Sequence, residues 1–486
     1  MKKLLIILII ASSYFLVNSF IGGDNQKFRA LTSLINKEHR QLIKKYIFPH
    51  KLISEQLQKQ EQKVLRLQTQ VYQLQKNVDS VPNTANVLVS KILGEINILL
   101  LELKFIKTGK NIETFDSNFE LSNNKILKKY KLLNGFLAGI HNAFPGSGYL
   151  DFYQNNLFIL SSRGILGYTN NLSDKIIFKQ IKNNINEYMN FEQFKKSKWY
   201  SLKDMFIYKD KVFISYTEEI KEDCWNTSII YGDINFENIK FEKLFSPKEC
   251  IDRENNVDKE FNAHQSGGRI ISFDDNHILL TIGDYRNRYL VQDKESVNGK
   301  IIKININDAN YEIISMGHRN PQGLYFDKEN NLILETEHGP MGGDEINIIE
   351  VDDINRDKIL NYGWPIVSAG EHVDTPEKYL EKKYEKYPLY KSHSKYGFIE
   401  PLKAYVPSIG ISQIVKIGKN KYVHGSMGNV RDGDKSLYFF ELNDEKKIIN
   451  LEQVKVFERI RDLRFYNNEL YLFMENTASI GVIDLN

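Results

Sequence analysis

This chain of 486 residues has only two cysteines, Cys224 and Cys250, and almost no net charge. Lysine and arginine number 65 against 62 acids, a formal charge of +3, so no whole-chain field exists to hold nucleic acid or an anionic membrane. Paired CxxC motifs and the HExxH spacing are both absent, which excludes the common zinc signatures. Disorder is excluded too, because 42% of the residues are hydrophobic and 12% aromatic. The length exceeds the roughly 100–200 residues usual for one domain, although closed all-β architectures can surpass it.

What is present begins with Lys2 and Lys3, followed by an apolar run over residues 4–20. That pattern is an export segment, either cleaved or kept as a membrane anchor, and it assigns residues 1–22 to targeting. Export to the periplasm, with or without an inner-membrane anchor, brings an oxidising compartment, in which Cys224 and Cys250 can pair and clamp the base of a hairpin. Residues 51–79 then lack both glycine and proline. Ile53, Leu57, Val64, Leu67, Val71, Leu74 and Val78 fall on alternating steps of three and four, with Gln60 in one polar core slot. Two readings stand for residues 23–133. Either the stripe is a coiled coil that makes a homo-oligomer, or it packs on the following apolar segment as a helical hairpin turning at Pro82 and Asn83.

Six segments after Asn134 share one form, an apolar strand, a short polar turn and a second apolar strand: LDFYQNNLFILSS, DMFIYKDKVFISY, RIISFDDNHILLTIGD, GLYFDKENNLILETEHG, QIVKIGKNKYVHGSMG and DLRFYNNELYLFMEN. Most turns carry Asn, Asp or Gly, which tolerate the backbone angles of tight hairpins. One hairpin with flanking strands makes a four-stranded blade, so six repeats predict a six-bladed β-propeller over residues 134–486. Loops from every blade of such a fold meet at the mouth of one channel.

The polar residues that interrupt the repeat are the candidates for chemistry. His264 precedes the first strand of the third hairpin and Asp284 follows its second, so the flanks lie side by side and a carboxylate can orient an imidazole base. A lone histidine is also a common structural hydrogen-bonder. GHRNPQG before the fourth hairpin concentrates Arg319, Asn320 and Gln322, groups suited to carboxylates and carbonyls, or to a turn network around Pro321. After that hairpin comes EHGPMGGDEIN, where Gly339 and Pro340 break ladder pairing and free their carbonyls, and Asp344 and Glu345 add hard oxygen ligands of the kind calcium prefers. Arg459 and Arg461 of RIRD share one face of a strand, which implies an anionic ligand or buried acids.

The series HQSGGRI, IGD, GHRNPQGL, EHGPMGGDEIN, NYGWP and RIRD resembles the glucose and sorbosone dehydrogenase family, soluble aldose sugar dehydrogenases that use pyrroloquinoline quinone. The resemblance spans residues 263–463 and implies a six-bladed propeller. It implies that His264 takes the proton of a sugar C1 hydroxyl, with Asp284 orienting it, while hydride passes to the quinone and the aldose becomes a lactone. It places Arg319, Asn320, Gln322, His338, Arg459 and Arg461 at the cofactor. It assigns the carbonyls of Gly339 and Pro340 to a catalytic calcium, and Glu345 and Tyr362 to a structural one. An aldose and an unidentified electron acceptor are the implied partners. One departure is that the fifth hairpin ends HGSMGNVRDGD, where glucose-oxidising relatives place a cofactor-pairing lysine; Gly428 and Asn429 stand there, with Arg431 nearby. That departure favours the alternative, a non-catalytic calcium-binding propeller that recognises a protein or glycan.

Overall fold

Strands that are apolar on both faces dominate the computed structural model, which describes residues 111–132, 147–172, 176–190, 193, 196, 200–354, 358–372, 382–428 and 434–486. All six expected hairpins form. Their first strands are Gly148–Tyr153, Leu202–Tyr208, Gly267–Ser272, Pro321–Asp327, Ile411–Gly418 and Ile460–Tyr466. Each pairs antiparallel with the strand that follows it, with Tyr149 opposite Leu160 in the first and Leu463 opposite Leu472 in the last. The turns behave as their composition requires: Gln154, Lys209, Asn331, Asn420, Asn467 and Asn468 all have positive φ.

The six first strands contact one another in sequence, and the last, Ile460–Tyr466, returns to the first, Gly148–Tyr153. The ring is therefore closed, and the fold is an all-β, propeller-like one. Why the second strands read as unbroken apolar runs follows from this arrangement. In Asn156–Ser161, Phe158 and Leu160 pack with Met205 and Ile214 of the next hairpin, while Leu157 and Ile159 pack with Tyr471 and Phe473 of the last. Similar clusters join the other neighbours, such as Phe213 with Ile278, Leu279 with Ile333, Leu334 with Tyr422, and Val423 with Leu472. Burial of each such side chain contributes roughly 1.5–3 kcal/mol.

Closure is completed by a strand from far upstream. Ile126–Leu132 pairs with the C-terminal Ser479–Asp484, with Tyr130 opposite Ile480. It also pairs with Ile112–Glu120, which reaches Ile177–Asn183, so two four-stranded units, this linking strand and the short Asn238–Ile239 make one ten-stranded sheet. These strands lie inside residues 23–133, expected above to be helical, so among the described residues strand structure starts at Ile112 and not at 134. The physical reason is pairing on both sides: Ile126–Leu132 bonds a strand at each edge and buries Leu127, Tyr130 and Leu132 while Ile126, Lys128 and Lys131 stay exposed. The export segment and the residue 51–79 stripe lie outside the described residues, as do Asn429 and Arg431. Cys224 and Cys250 are joined by a disulfide, which ties the start of strand Cys224–Asp233 to the short strand Ile251–Asp252 paired with it.

Candidate functional site

Five of the six first strands carry a β-bulge near their start, just past the ring's mouth. Leu202 pairs with Tyr216 and Asp204 with Ser215, which leaves Lys203 as the extra residue. Gln322 is extra between Pro321 and Gly323, and Arg461 between Ile460 and Asp462. Register shifts also fall between Gly267 and Ile270 and between Ile411 and Ile414. A bulge re-aims a side chain that regular alternation would bury in a sheet face. Here it brings Arg461 Nη1 to 3.0 Å from Gln322 Oε1, across a gap of 139 residues in sequence.

Beneath these residues lies a buried ionic knot. Arg269 Nη1 bonds Asp204 Oδ1 at 2.9 Å and Asp462 Oδ1 at 2.7 Å, while its Nε and Nη2 donate to the carbonyls of Gln322 and Arg461. Arg269 is 3% exposed and both acids are fully buried. The carbonyls of two bulge residues are thus fixed by one guanidinium, so the positions of Gln322 and Arg461 are set by a rigid floor. Arg464 extends the knot to Asp462 and Asp151.

Arg459 precedes the strand and Arg461 is its bulged residue, yet both reach the buried acid Glu475: Arg459 Nε lies 3.0 Å and Arg461 Nε 2.6 Å from its two oxygens. Burial acts to raise the Glu475 pKa, but Arg461 and then Arg459 outweigh it and hold the carboxyl below its usual range. Arg459 Nη1 also donates to the Met427 carbonyl at 2.7 Å. The sequence contained Glu475 in plain view at the end of the sixth hairpin, at the site equivalent to His338 in the fourth.

His264 is solvent-exposed. Protein nevertheless surrounds it: burial, Arg319 and Lys203 together pull its pKa down to about 3, so the imidazole is neutral at physiological pH. Asn262 Nδ2 lies 3.3 Å from Nε2, and an amide nitrogen can only donate, so the Nε2 lone pair is the accepting one and the proton resides on Nδ1. Asp284 accepts from Trp364 Nε1 at 2.8 Å and from the Arg286 amide at 2.8 Å. With the Gln265 amide turned to satisfy its neighbours, it donates to Asp284 at 3.0 Å and accepts from Arg319 Nη2 at 2.9 Å. Burial raises the Asp284 pKa, with Arg319 opposing. Arg319 also stands over the Trp364 ring at 5.4 Å, and burial lowers its own pKa to about 10. Trp364 of NYGWP and Gln265 were not singled out from sequence, yet they connect Asp284 to Arg319. Asn320 Oδ1 accepts from Gln322 Nε2 at 2.9 Å and from the Gly267 amide at 3.2 Å.

The EHGPMGGDEIN loop places its residues in separate roles. Gly342 and Gly343 have φ of +82° and +77°, and a Cβ on Gly339 would meet the Gly343 carbonyl oxygen at 1.9 Å, so this turn requires glycine at all three. Asp344 is an anchor: Oδ2 accepts the amides of Ile409, Gly410 and Ile411 at 2.7–3.1 Å. The Gly339 carbonyl accepts from Arg319 Nη1 at 2.6 Å and the Pro340 carbonyl from Ser408 Oγ at 3.3 Å, and a carbonyl oxygen has two lone pairs. His338 Nε2 bonds the Ile411 carbonyl at 2.6 Å.

Behind the loop, a pocket lined by Glu337, Glu345, Tyr362 and His393, with Arg319 and Trp364 also on its wall, brings buried acids together. Glu335, Glu337 and Glu345 share one sheet face and are all at least nine-tenths buried. Burial and then the Glu337 charge push the pKa of Glu335 and of Glu345 well above the usual range. His318, Glu335 and Glu337 offer ligand atoms within 4.8 Å of one another, and Glu335 Oε1 has no hydrogen-bond partner. Tyr362 Oη donates to the Ile348 carbonyl at 2.6 Å. A donor set of buried carboxylates fits a hard cation, and the cluster of Arg319, Arg459, Arg461 and Lys203 fits a polyanion.

A propeller-like β-fold with a cation-rich mouth around a neutral histidine is the class these features define. The family profile described as glucose/sorbosone dehydrogenase matches residues 200–481, more than half of the chain, and the chain belongs to that family. It is 28% identical over 181 residues to the aldose sugar dehydrogenase YliI of Escherichia coli, covering 34% of this chain and 44% of that one. It is 32% identical over 136 residues to quinoprotein glucose dehydrogenase B of Acinetobacter calcoaceticus, covering 22% and 27%. The chain thus spans half or less of the length of the curated relatives it matches. Among solved structures, the apo-form soluble aldose sugar dehydrogenase of Escherichia coli superposes with a TM-score of 0.52 at 19% identity, covering 69% of this chain and 95% of that one.

Proposed function

We propose that this protein is an exported, six-bladed quinoprotein that oxidises the C1 hydroxyl of an aldose to the lactone. The observation that carries the reading is a neutral His264, its accepting lone pair on Nε2, set beside Arg319 at a mouth lined by Arg459, Arg461 and Gln322. His264 Nε2 takes the hydroxyl proton; Asp284, expected from sequence to orient His264, bonds Trp364 and Gln265 instead and through them fixes Arg319 beside that imidazole. Pyrroloquinoline quinone, when bound, supplies the acceptor for the C1 hydride and its electron pair. Arg319, Asn320, Gln322, His338, Arg459 and Arg461 are the residues that would hold it. A separate electron acceptor must then reoxidise the cofactor. Calcium is proposed at the carbonyls of Gly339 and Pro340, and at Glu345 with Tyr362, where the buried acids favour a hard cation. The Cys224–Cys250 disulfide supports export to the periplasm, as does the apolar N-terminal run.

Reconstitution with calcium and pyrroloquinoline quinone, followed by dye reduction over a panel of aldoses, tests the reading. His264→Gln is expected to lower kcat by about 10²–10⁴-fold with quinone binding retained. Wild-type protein that turns over no sugar sinks the proposal, and an equally active His264→Gln removes His264 as the base.

A further inference from the structure

The bulges single out a residue that no motif marked. Of the five bulges near the starts of the first strands, three leave one unpaired residue, and those residues are Lys203, Gln322 and Arg461, on alternate hairpins of the ring. Two of the three already belong to the cofactor set. Equivalent backbone irregularities aim equivalent positions, so the third points at the same space. Its surroundings agree: Lys203 Nζ lies 3.5 Å from the carbonyl of Ala263, the residue before His264. Its charge acts on His264, and Arg461 acts on it. The neighbouring strand makes room for the side chain's stem, since a Cβ on Gly268 would come 2.3 Å from Lys203 Cβ, and Gly268 has φ of +119°.

We propose that Lys203 is a ligand-contacting cation of this site, pairing with a carboxylate of the bound quinone and supplying from the second hairpin the lysine that the fifth one lacks. This rests on the quinoprotein reading above. Burial and then the Arg461 guanidinium pull the Lys203 ammonium down to about 7, and an anionic ligand beside it would favour the charged form. A lysine that only filled space would be replaceable by methionine, which has a similar stem and no charge.

Equilibrium binding of pyrroloquinoline quinone to the purified full chain, with calcium present and followed by tryptophan quenching, separates these cases. Lys203→Met is expected to weaken binding by about tenfold to a hundredfold, and Lys203→Arg by only a few-fold. Both variants should melt with the wild type. With the trimethyl ester of the quinone, which lacks the carboxylates, wild type and Lys203→Met should bind alike. Equal binding of the free acid by wild type and Lys203→Met overturns the role of Lys203. Wild-type protein that binds no quinone overturns the functional reading, and this proposal with it.

Discussion

The two sides of the fourth hairpin are charged in opposite senses. On the channel side, Arg319, Arg459, Arg461 and Lys203 gather around Asp284 and Glu475, with Asp344 and Asp462 also acting on them. On the inter-sheet side, Glu335, Glu337 and Glu345 cluster with His318 and His393, where Arg319 reaches the same pocket, and burial lowers the His393 pKa. Elsewhere in the same interior, Arg269 is matched by two acids at hydrogen-bonding distance. The difference teaches what each group is for. A buried charge with its partners in place is scaffold, whereas a buried surplus of one sign costs stability unless a ligand of the other sign arrives.

The strongest way to break this distinction is to remove the matched cation. Arg269→Met leaves Asp204 and Asp462 buried with Arg464 as their one remaining shared cation, and a loss of about 3–5 kcal/mol in denaturant unfolding is expected. A loss under about 1 kcal/mol would mean that the knot is not scaffold, and the contrast between matched and surplus charge would fail.

A buried histidine sharpens the point next, because burial shifts it without any surplus of charge. Burial pulls fully buried His424 down to about 4, and its Nε2 lies 2.8 Å from Tyr405 Oη. The unfolded imidazole protonates near 6.5, so between pH 6.5 and 4 the unfolded state binds the additional proton and stability falls as pH falls. The contribution lost over that window is about 3 kcal/mol. Subtracting the pH–stability curve of His424→Gln from that of the wild type should leave this slope, and a flat difference would refute it.

The acid side predicts an opposite response to neutralisation. Glu345→Gln keeps the shape and removes a charge whose protonated form is favoured by burial and by Glu337. In chelator the variant should be more stable by about 1 kcal/mol, because an uncompensated charge is gone. In excess calcium the order should reverse, since the wild type gains from binding and the variant does not. A variant less stable in both conditions would show that Glu345 is satisfied without a cation.

Legibility in the sequence followed the same division. The six hairpins were readable because each joins two apolar runs through a short polar turn, most of them carrying Asn, Asp or Gly. GHRNPQG and EHGPMGGDEIN were readable because local turn chemistry concentrates their polar groups. The partners were not. Asp204 and Asp462 lie 65 and 193 positions from Arg269, and no pattern near any of the three announces the others. Lys203 sits in a strand whose alternation gives no sign of a bulge, since register is a property of the pair and not of one strand. Asp344 was read as a ligand because its type suits calcium, but three successive backbone amides had a prior claim on it. The strands at 112–132 were missed because what they complete is the sheet at the other end of the chain.

The smallest effect is expected where charge meets water. Lys446 Nζ lies 2.9 Å from Glu350 Oε1, closer than several interior pairs, yet the two side chains are 39% and 49% exposed. Solvent screens the attraction and both long side chains lose freedom to form it, so Lys446→Ala should change stability by less than about 1 kcal/mol. Raising the salt concentration should shrink even that. A cost comparable to that of Arg269→Met would show that separation alone governs these pairs; a negligible one would show that burial and completeness of pairing distinguish the knot beneath the mouth from the rest of the molecule's charge.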